Sequence, residues 1–399
     1  MNNLLVLTST FPRWLNDTMP PFVALLSSEL AKYNTVDVLA PHCSGAKESE
    51  ELLGCHVYRF RYAPERLQVL AYGSGVLSAV KRNPFAFLLV GLYMFCQAFS
   101  IVSLCRARKY QAVHAHWWFM QGFLIVLLRS IGLIQTKILI TLHGGDLYSL
   151  NGWFFRRLRN WTLRRADSIT VVSGAMKQCL LDDGIAADKI YVAPMGVDLQ
   201  GRFLDQGRVR DDKKLIFVGR LVEKKGVDYL IDAMRILLDS KLEIKLQIVG
   251  DGVLKDSLKR RAERLGVAKS IEFVGAVSND AVIDYLNQAT IFVFPAIVAD
   301  SGDQEGLGLV MVEALGCGCA VIASDLSAIR DVIEHDENGL LLPQKDPRKL
   351  AEVISGLLED QNKLHLLQKR ARSSVLEKFD WSIVGKKYQA ILEPLCSAS

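Results

Sequence analysis

Short runs of aliphatic and β-branched residues alternate with amphipathic stretches along most of this chain, and no other feature limits the fold so strongly. LLVLTS (4–9), TVDVLAP (35–41), CHVYRF (55–60), AVHAH (112–116), KILITLHG (137–144), SITVVS (168–173) and IYVAP (190–194) read as strands. Helical patterns fit between most of them, for instance over 22–33 and 153–165. A Gly-, Asp- and Arg-rich passage around 196–213 interrupts the series, which then begins again. LIFVGR (215–220), LQIVGDG (246–252), IEFVGA (271–276), IFVFPA (291–296) and AVIAS (320–324) are the second set. Strands alternating with helices imply parallel sheets covered on both faces. The restart implies two such sheets. The expected fold class is α/β, with two doubly wound, Rossmann-like domains; 399 residues, half of them hydrophobic, are enough to fill both cores.

Eight cysteines show no CxxC pair and no Cys/His ligand spacing, which suits a reducing cytosol and argues against a structural zinc site. The net charge of +5 is unevenly placed. Residues 1–200 hold 20 Lys and Arg against 13 Asp and Glu, or +7; residues 201–399 hold 28 against 30, or −2. A basic first half calls for an acidic partner, either an anionic membrane surface or a phosphorylated acceptor. No nucleic-acid motif supports the remaining option. MNNLLVLTSTF lacks the basic start of a signal peptide and reads as a first strand. Residues 84–105 are long and apolar enough to span a bilayer. Basic residues flank them on both sides (Lys81 and Arg82; Arg106, Arg108 and Lys109), and Gln97, Ser100 and Ser103 suggest one polar face. The expectation is a buried or membrane-grazing helix.

Open parallel sheets bind ligands beyond the C-terminal ends of their strands, where glycine turns and helix N-termini meet them. The chemistry-bearing segments follow strands here too: HGGD after 137–142, GRLVEKKG after 215–218, GDG after 246–249. Two sheets with those ends facing would enclose a cleft. DQEGLGLVMVEALGC, residues 303–317, reads as a loop entering a helix from about Gly308 to Leu315. Gly306 and Gly308 permit close backbone approach, and the amides of Leu309 and Val310 would be free for a phosphate. Glu305 precedes the helix and Glu313 lies a turn and a half inside it, so the two carboxylates can address different parts of one ligand. Arg220 and Lys225 are the cations for a diphosphate; surface pairing with Glu223 or Asp228 is the competing reading. Lys224 is expected to face solvent.

The spacing of Glu305 and Glu313, the ALGCGCAVIAS that follows, the Arg220–Lys225 pair and His143 in TLHGGD together resemble the retaining glycosyltransferases of family 4, which have the GT-B fold. The order of elements is similar over nearly the whole chain, and EKFDWSIVGKKYQAILEPL looks like the family's last helix. The resemblance implies an acceptor-binding domain at 1–200, a nucleotide-sugar-binding domain at 201–378, and a helix at 379–399 crossing back to the first. It implies that Arg220 and Lys225 hold the donor diphosphate with help from the Leu309 and Val310 amides. Glu313 would accept from ribose hydroxyls, Glu305 from the transferred sugar, and His143 would lie near the anomeric carbon and 6-hydroxyl. The activity implied is transfer of a sugar from a nucleotide diphosphate sugar to a hydroxyl acceptor, in polysaccharide or glycolipid synthesis, with the donor as co-substrate and no metal or cofactor. The implied setting is the inner face of the cytoplasmic membrane.

The family commonly has a glycine pair in the first loop. This chain has STFPRWLNDTMPPFV, with Pro20 and Pro21 near that place, and proline offers no amide to a phosphate. Arg13 is a candidate replacement or acceptor contact. Of His114 and His116, the second lies nearer its strand end and is the acceptor-side candidate. Asp146 either receives an acceptor hydroxyl or caps the next segment. Other functions sharing this architecture are a nucleotide-sugar epimerase, which needs no acceptor, and a non-catalytic nucleotide-binding scaffold. A dinucleotide oxidoreductase would need G-x-G-x-x-G where TSTFPRW stands.

Overall fold

A computed structural model describes residues 1–397 other than 16, 18–20, 73–85 and 151. Pro20, Lys81 and Arg82 thus lie outside the described residues. The chain forms two compact units: Met1–Val172 with Met176–Met195 and Val384–Ser399, and Ser173–Ala175 with Gly196–Ile383.

The first unit is built on β1 (Asn2–Leu7), β2 (Asn34–Pro41), β3 (Ser49–Leu52), β4 (Cys55–Phe60), β5 (Ala112–His116), β6 (Lys137–Leu142), β7 (Ser168–Val171) and β8 (Ile190–Val192). They lie in the order β3-β4-β2-β1-β5-β6-β7-β8, all parallel except the β3–β4 pair. Leu4, Leu5, Val6 and Leu7 are each at most 1 % exposed, so both faces of β1 are covered. That burial is why its sequence is continuously apolar rather than alternating. The chain winds outward from β1 to β4, then returns to β5 on the other side. This reversal makes β1/β5 the switch point where a ligand crevice opens.

The second unit repeats the plan with β9 (Asp211–Val218), β10 (Lys245–Val249), β11 (Ile271–Gly275), β12 (Ala289–Phe294), β13 (Ala320–Ser324) and β14 (Leu340–Leu342). Their order is β11-β10-β9-β12-β13-β14, all parallel, with the switch point between β9 and β12. β3 and β14 are not legible in the sequence. SEEL carries no β-branched residue and pairs antiparallel at an edge, and β14 is only three residues long.

The helix Trp381–Ser397 ends the described chain, and from Val384 on it belongs to the first unit. There Asn34 Nδ2 donates to Gln389 Oε1 at 2.7 Å, and Tyr388 OH donates to the Ala193 carbonyl at 3.0 Å.

The apolar segment forms the helix Ala86–Ala107, and its polar residues do not make an outward face. Gln97 is fully buried with Tyr93 and Ile101, and the Tyr93 ring packs edge-on to Phe60 at 4.9 Å. The side turned to solvent is the apolar one. Tertiary packing has claimed the face that polarity alone would have left outside.

Candidate active site

The switch point of the second sheet gathers the residues singled out in that half of the chain. β9 ends in Val218, and the chain turns through Gly219 to Arg220 and then a single turn, Glu223–Lys225. Two glycines of the next loop hold this turn close. A Cβ on Gly250 would stand 1.9 Å from the Gly219 carbonyl, and one on Gly252 would stand 2.4 Å from that of Leu221. GDG therefore shapes the Arg220 loop by allowing two backbones to touch. Gly226, left-handed at φ 59°, then opens the helix Val227–Asp239.

Lys225 is 9 % exposed, with its Nζ 3.1 Å from Glu305 Oε1 and 4.6 Å from the centre of the Phe294 ring. Neither Glu223 nor Asp228 is its partner. Glu305 is 8 % exposed, and the lysine meets it as a close ion pair outside hydrogen-bonding angles, leaving Oε1 without a hydrogen bond among the described residues. Burial raises the Glu305 carboxyl, but the charges of Lys225, Lys224 and Arg220 outweigh it and hold the group below the usual carboxylate range. Burial depresses Lys225, and although Glu305 opposes that effect, Lys224 and Arg220 add to it. Positive charge is in excess here.

Lys224 does not face solvent. It is buried, its Nζ donates to Asp303 Oδ1 at 3.1 Å and the Gln304 carbonyl at 3.2 Å, and it stands 3.9 Å from Glu305. The tight turn sends both adjacent lysines inward around the 303–305 loop. Lys224 and Asp303 are the residues that sequence reasoning missed, and the signal was Asp303's place in the same polar loop as Glu305. Arg220 is exposed, and its guanidinium makes no hydrogen bond or ion pair among the described residues.

The glutamate-bearing helix is Leu309–Gly316, one residue later than the pattern suggested. Gly308 caps it at φ 86°, ψ 59°, and a Cβ there would meet Met311 Cε at 2.8 Å and the Phe294 ring at 3.1 Å. Glycine is required at this position by both dihedral and space. Gly306 is buried in the preceding loop. The Leu309 and Val310 amides find no acceptor among the described residues, whereas that of Met311 bonds the Gly308 carbonyl at 2.9 Å. Two free donors at a helix start favour an anion. Glu313 is half-buried, has no side-chain hydrogen bond among the described residues, and is pushed by burial to a pKa of about 7.

In the first unit, beside the switch point, β5 and the end of β6 bring three histidines together. His114 Nε2 meets Thr141 Oγ1 at 2.7 Å, a core bond. His116 Nδ1 meets His143 Nε2 at 3.0 Å with nearly parallel rings. His116 is fully buried beneath His143, which is the partly exposed member of the pair. Desolvation lowers His143 to a pKa of about 3, with His116 lower still than its ordinary value, so both rings are neutral at physiological pH. Phe22 and Trp117 flank His143 at ring-centre distances of 5.2 and 4.9 Å.

Trp117 leaves β5 at φ 69°, ψ 134°, and Met120 follows at φ 64°, a costly backbone for non-glycine residues. Asp146 pins this turn. Its Oδ2 accepts from the Trp118 amide at 3.2 Å, its Oδ1 from the His143 amide at 3.0 Å, and its carbonyl from Trp118 Nε1 at 2.6 Å. Buried and doubly bonded, Asp146 braces two loops; it does not cap the next segment, Gly145–Tyr148, whose start has no side-chain cap. Burial raises Asp146 to a pKa of about 6. Arg13 is likewise engaged, forked onto Asp17 (Nε to Oδ2, 2.8 Å) with its guanidinium over Trp14. Among the described residues no group of three His, Cys, Asp or Glu could hold a metal ion.

Two family profiles divide the chain between them: Glycosyltransferase Family 4 over residues 21–200 and Glycosyl transferases group 1 over 203–374. The chain belongs to the family-4 glycosyltransferases. Among similar proteins, the putative colanic acid biosynthesis glycosyltransferase WcaL of Escherichia coli is 29 % identical over 276 residues, 67 % of each chain. A GDP-mannose-dependent alpha-(1-6)-phosphatidylinositol monomannoside mannosyltransferase of Mycobacterium tuberculosis is 25 % identical over 63 % of this chain and 68 % of its own. Of solved structures, sucrose-phosphate synthase from Thermosynechococcus elongatus superposes over the whole of both chains with a TM-score of 0.80 at 20 % identity. Anabaena HepE in complex with UDP does so at 0.73 and 18 %, covering 99 % of this chain and 100 % of its own. This family-4 glycosyltransferase accordingly has the GT-B fold, two parallel-sheet α/β units.

Proposed function

We propose that this glycosyltransferase moves a sugar from a nucleoside diphosphate sugar to a hydroxyl of a lipid-linked or growing saccharide, with retention of configuration, while bound peripherally to the inner face of a membrane. One observation carries the reading. Three cations, two unpaired helix amides and an unpartnered carboxylate, Glu313, come together at one switch point. That set matches a diphosphate with a ribose beside it. Arg220, Lys225 and the amides of Leu309 and Val310 take the diphosphate, Gly306 and Gly308 let it approach, and Glu313 takes the ribose. Glu305 takes the sugar hydroxyls. In the first unit, the neutral His143 offers a hydrogen-bonding group at its own switch point.

The chemistry is displacement at the anomeric carbon. The bond to the diphosphate oxygen breaks, the acceptor oxygen forms its bond on the same face, and the departing phosphate takes the acceptor's proton. The cations and amides stabilise the charge that builds on the leaving group; removing one such donor costs about 3–4 kcal/mol in comparable sites. A neutral His143 contributes hydrogen bonding rather than charge. The mannosyltransferase and polysaccharide relatives support an acceptor held on lipid or polymer, and the UDP-bound structural neighbour supports a nucleotide donor.

A thermal-shift screen of UDP-, GDP-, ADP- and dTDP-sugars tests the donor, since a ligand of the folded state must raise its melting temperature. Proton NMR of the product with the selected donor then reports the anomeric configuration. An inverted product removes the retaining mechanism, and an altered sugar released without any acceptor would make the protein an epimerase.

A further inference from the structure

Resting on the reading that the acceptor is carried at a membrane, we propose that the first unit docks on an anionic bilayer through the outer face of the helix Ala86–Ala107 and the start of the helix Trp153–Arg165. Phe87, Leu88, Leu92, Phe95 and Phe99 are 70, 68, 50, 71 and 71 % exposed. At 3.6 residues per turn these five fall within an arc of roughly 140°. The opposite face, with Tyr93, Gln97 and Ile101, is the one packed against the sheet. An outward face made of phenylalanine and leucine, on a helix whose inner face is already packed against the sheet, marks a surface that meets something apolar.

Neighbouring helices extend it. Ala86–Ala107 contacts the helix Phe123–Ser130, which contacts Trp153–Arg165, so the three form one layer. At the start of the third, Trp153 is 75 % and Phe154 58 % exposed. In a parallel sheet the helices start where strands end, so these aromatics and Phe87 lie at the edge that carries His143.

Charge identifies the occupant. Between Glu65 and Asp167 the sequence has a single carboxylate, Asp146, against thirteen Lys and Arg. Asp146 is buried, while Arg106, Arg108 and Lys109 at one helix end and Arg157, Arg164 and Arg165 on another are exposed. A second copy of this chain would bring like charge against like. An anionic bilayer supplies the opposite sign together with an apolar boundary for the aromatics. Docked this way, the protein turns its histidine-bearing edge toward the headgroup layer, where a lipid-borne hydroxyl would be found.

The test is flotation of the full chain with vesicles of phosphatidylcholine alone, and of equal parts phosphatidylcholine and phosphatidylglycerol, at low and high ionic strength. Binding is expected to the anionic vesicles only, weakening with salt. Phe95→Ser with Phe99→Ser should lower it about tenfold or more. Val253→Ser, an exposed position of the second unit, should leave it unchanged. Brominated lipid should quench wild-type fluorescence, and Trp153→Phe should remove part of that quenching, a reading that needs no destabilising change. Undiminished flotation of the double variant at an unchanged melting temperature overturns the proposal. So does a wild type that ignores both vesicles, or a dimer in gel filtration that the double variant abolishes. A protein that floats through this face yet transfers no sugar retains the docking surface and loses the enzymatic reading; transfer without vesicle binding does the reverse.

Discussion

Glu313 is the residue whose chemistry is most open to measurement, because burial lifts it from an ordinary 4.5 to about 7 while no neighbour bonds it. The folded protein therefore holds a proton that the unfolded chain gives up between those values. Its contribution to stability is present below pH 4.5 and is lost as pH rises toward 7. In the proposed donor complex binding runs the other way, since a ribose hydroxyl donates best to the ionised carboxylate. Affinity for the matching nucleoside diphosphate should therefore rise between pH 6 and 8 more steeply in the wild type than in Glu313→Gln. At pH 8 the variant should bind more weakly by about 1.5–3 kcal/mol, read by calorimetry. Lys225 differs in kind, because its side chain is already paired. Lys225→Ala leaves Glu305 with the more distant Lys224 and Arg220, so stability in urea should fall by up to about 3 kcal/mol. Adding Glu305→Gln should restore part of that stability but no transfer. The spacing of Glu305 and Glu313 and the strand end before Arg220 were enough to place these residues around one switch point. Lys224 was hidden because adjacent lysines in a chain carry no sign of which way a tight turn will send them.

Among the elements, the clearest case is the pair of loops that Asp146 ties together. The Trp118 and His143 amides both depend on its carboxylate, and Trp117 and Met120 hold positive φ beside it. Asp146→Ala should cost about 2–4 kcal/mol, two buried donors losing their acceptor. It should also loosen His143 against its flanking rings, seen as faster hydrogen exchange at residues 117–122 and 143–148. Asp146→Asn, which retains one acceptor, should cost less. Strands such as AVHAH and AVIAS could be read to the residue because buried parallel strands have a continuous apolar signature. Asp146 and His116 were harder, since a polar residue at a strand end looks alike whether it faces a ligand or the loop beneath it. Only the hydrogen bonds of the folded chain separate the two.

At the scale of the molecule, the repeated strand–helix order made both sheets legible, while their exact limits were not. Unit membership changes at Gly196 and Val384, positions set by packing and unmarked in composition. Tyr388 shows how much of the first unit depends on the last helix. It is fully buried, hydrogen-bonded to Ala193 and 5.6 Å from the His114 ring. Tyr388→Ala should therefore destabilise the first unit by about 3–5 kcal/mol, measured by urea unfolding. The second unit's nucleotide-dependent thermal shift should persist.

The place of that helix also bears on how the protein is made. A growing chain emerges from the ribosome with all eight strands of the first sheet well before residues 384–397, which seal Glu29, Asn34 and Ala193. While residues 193–383 are translated this unit waits with an open seam, so a chaperone that shields apolar seams has its longest opportunity at the beginning of the sequence.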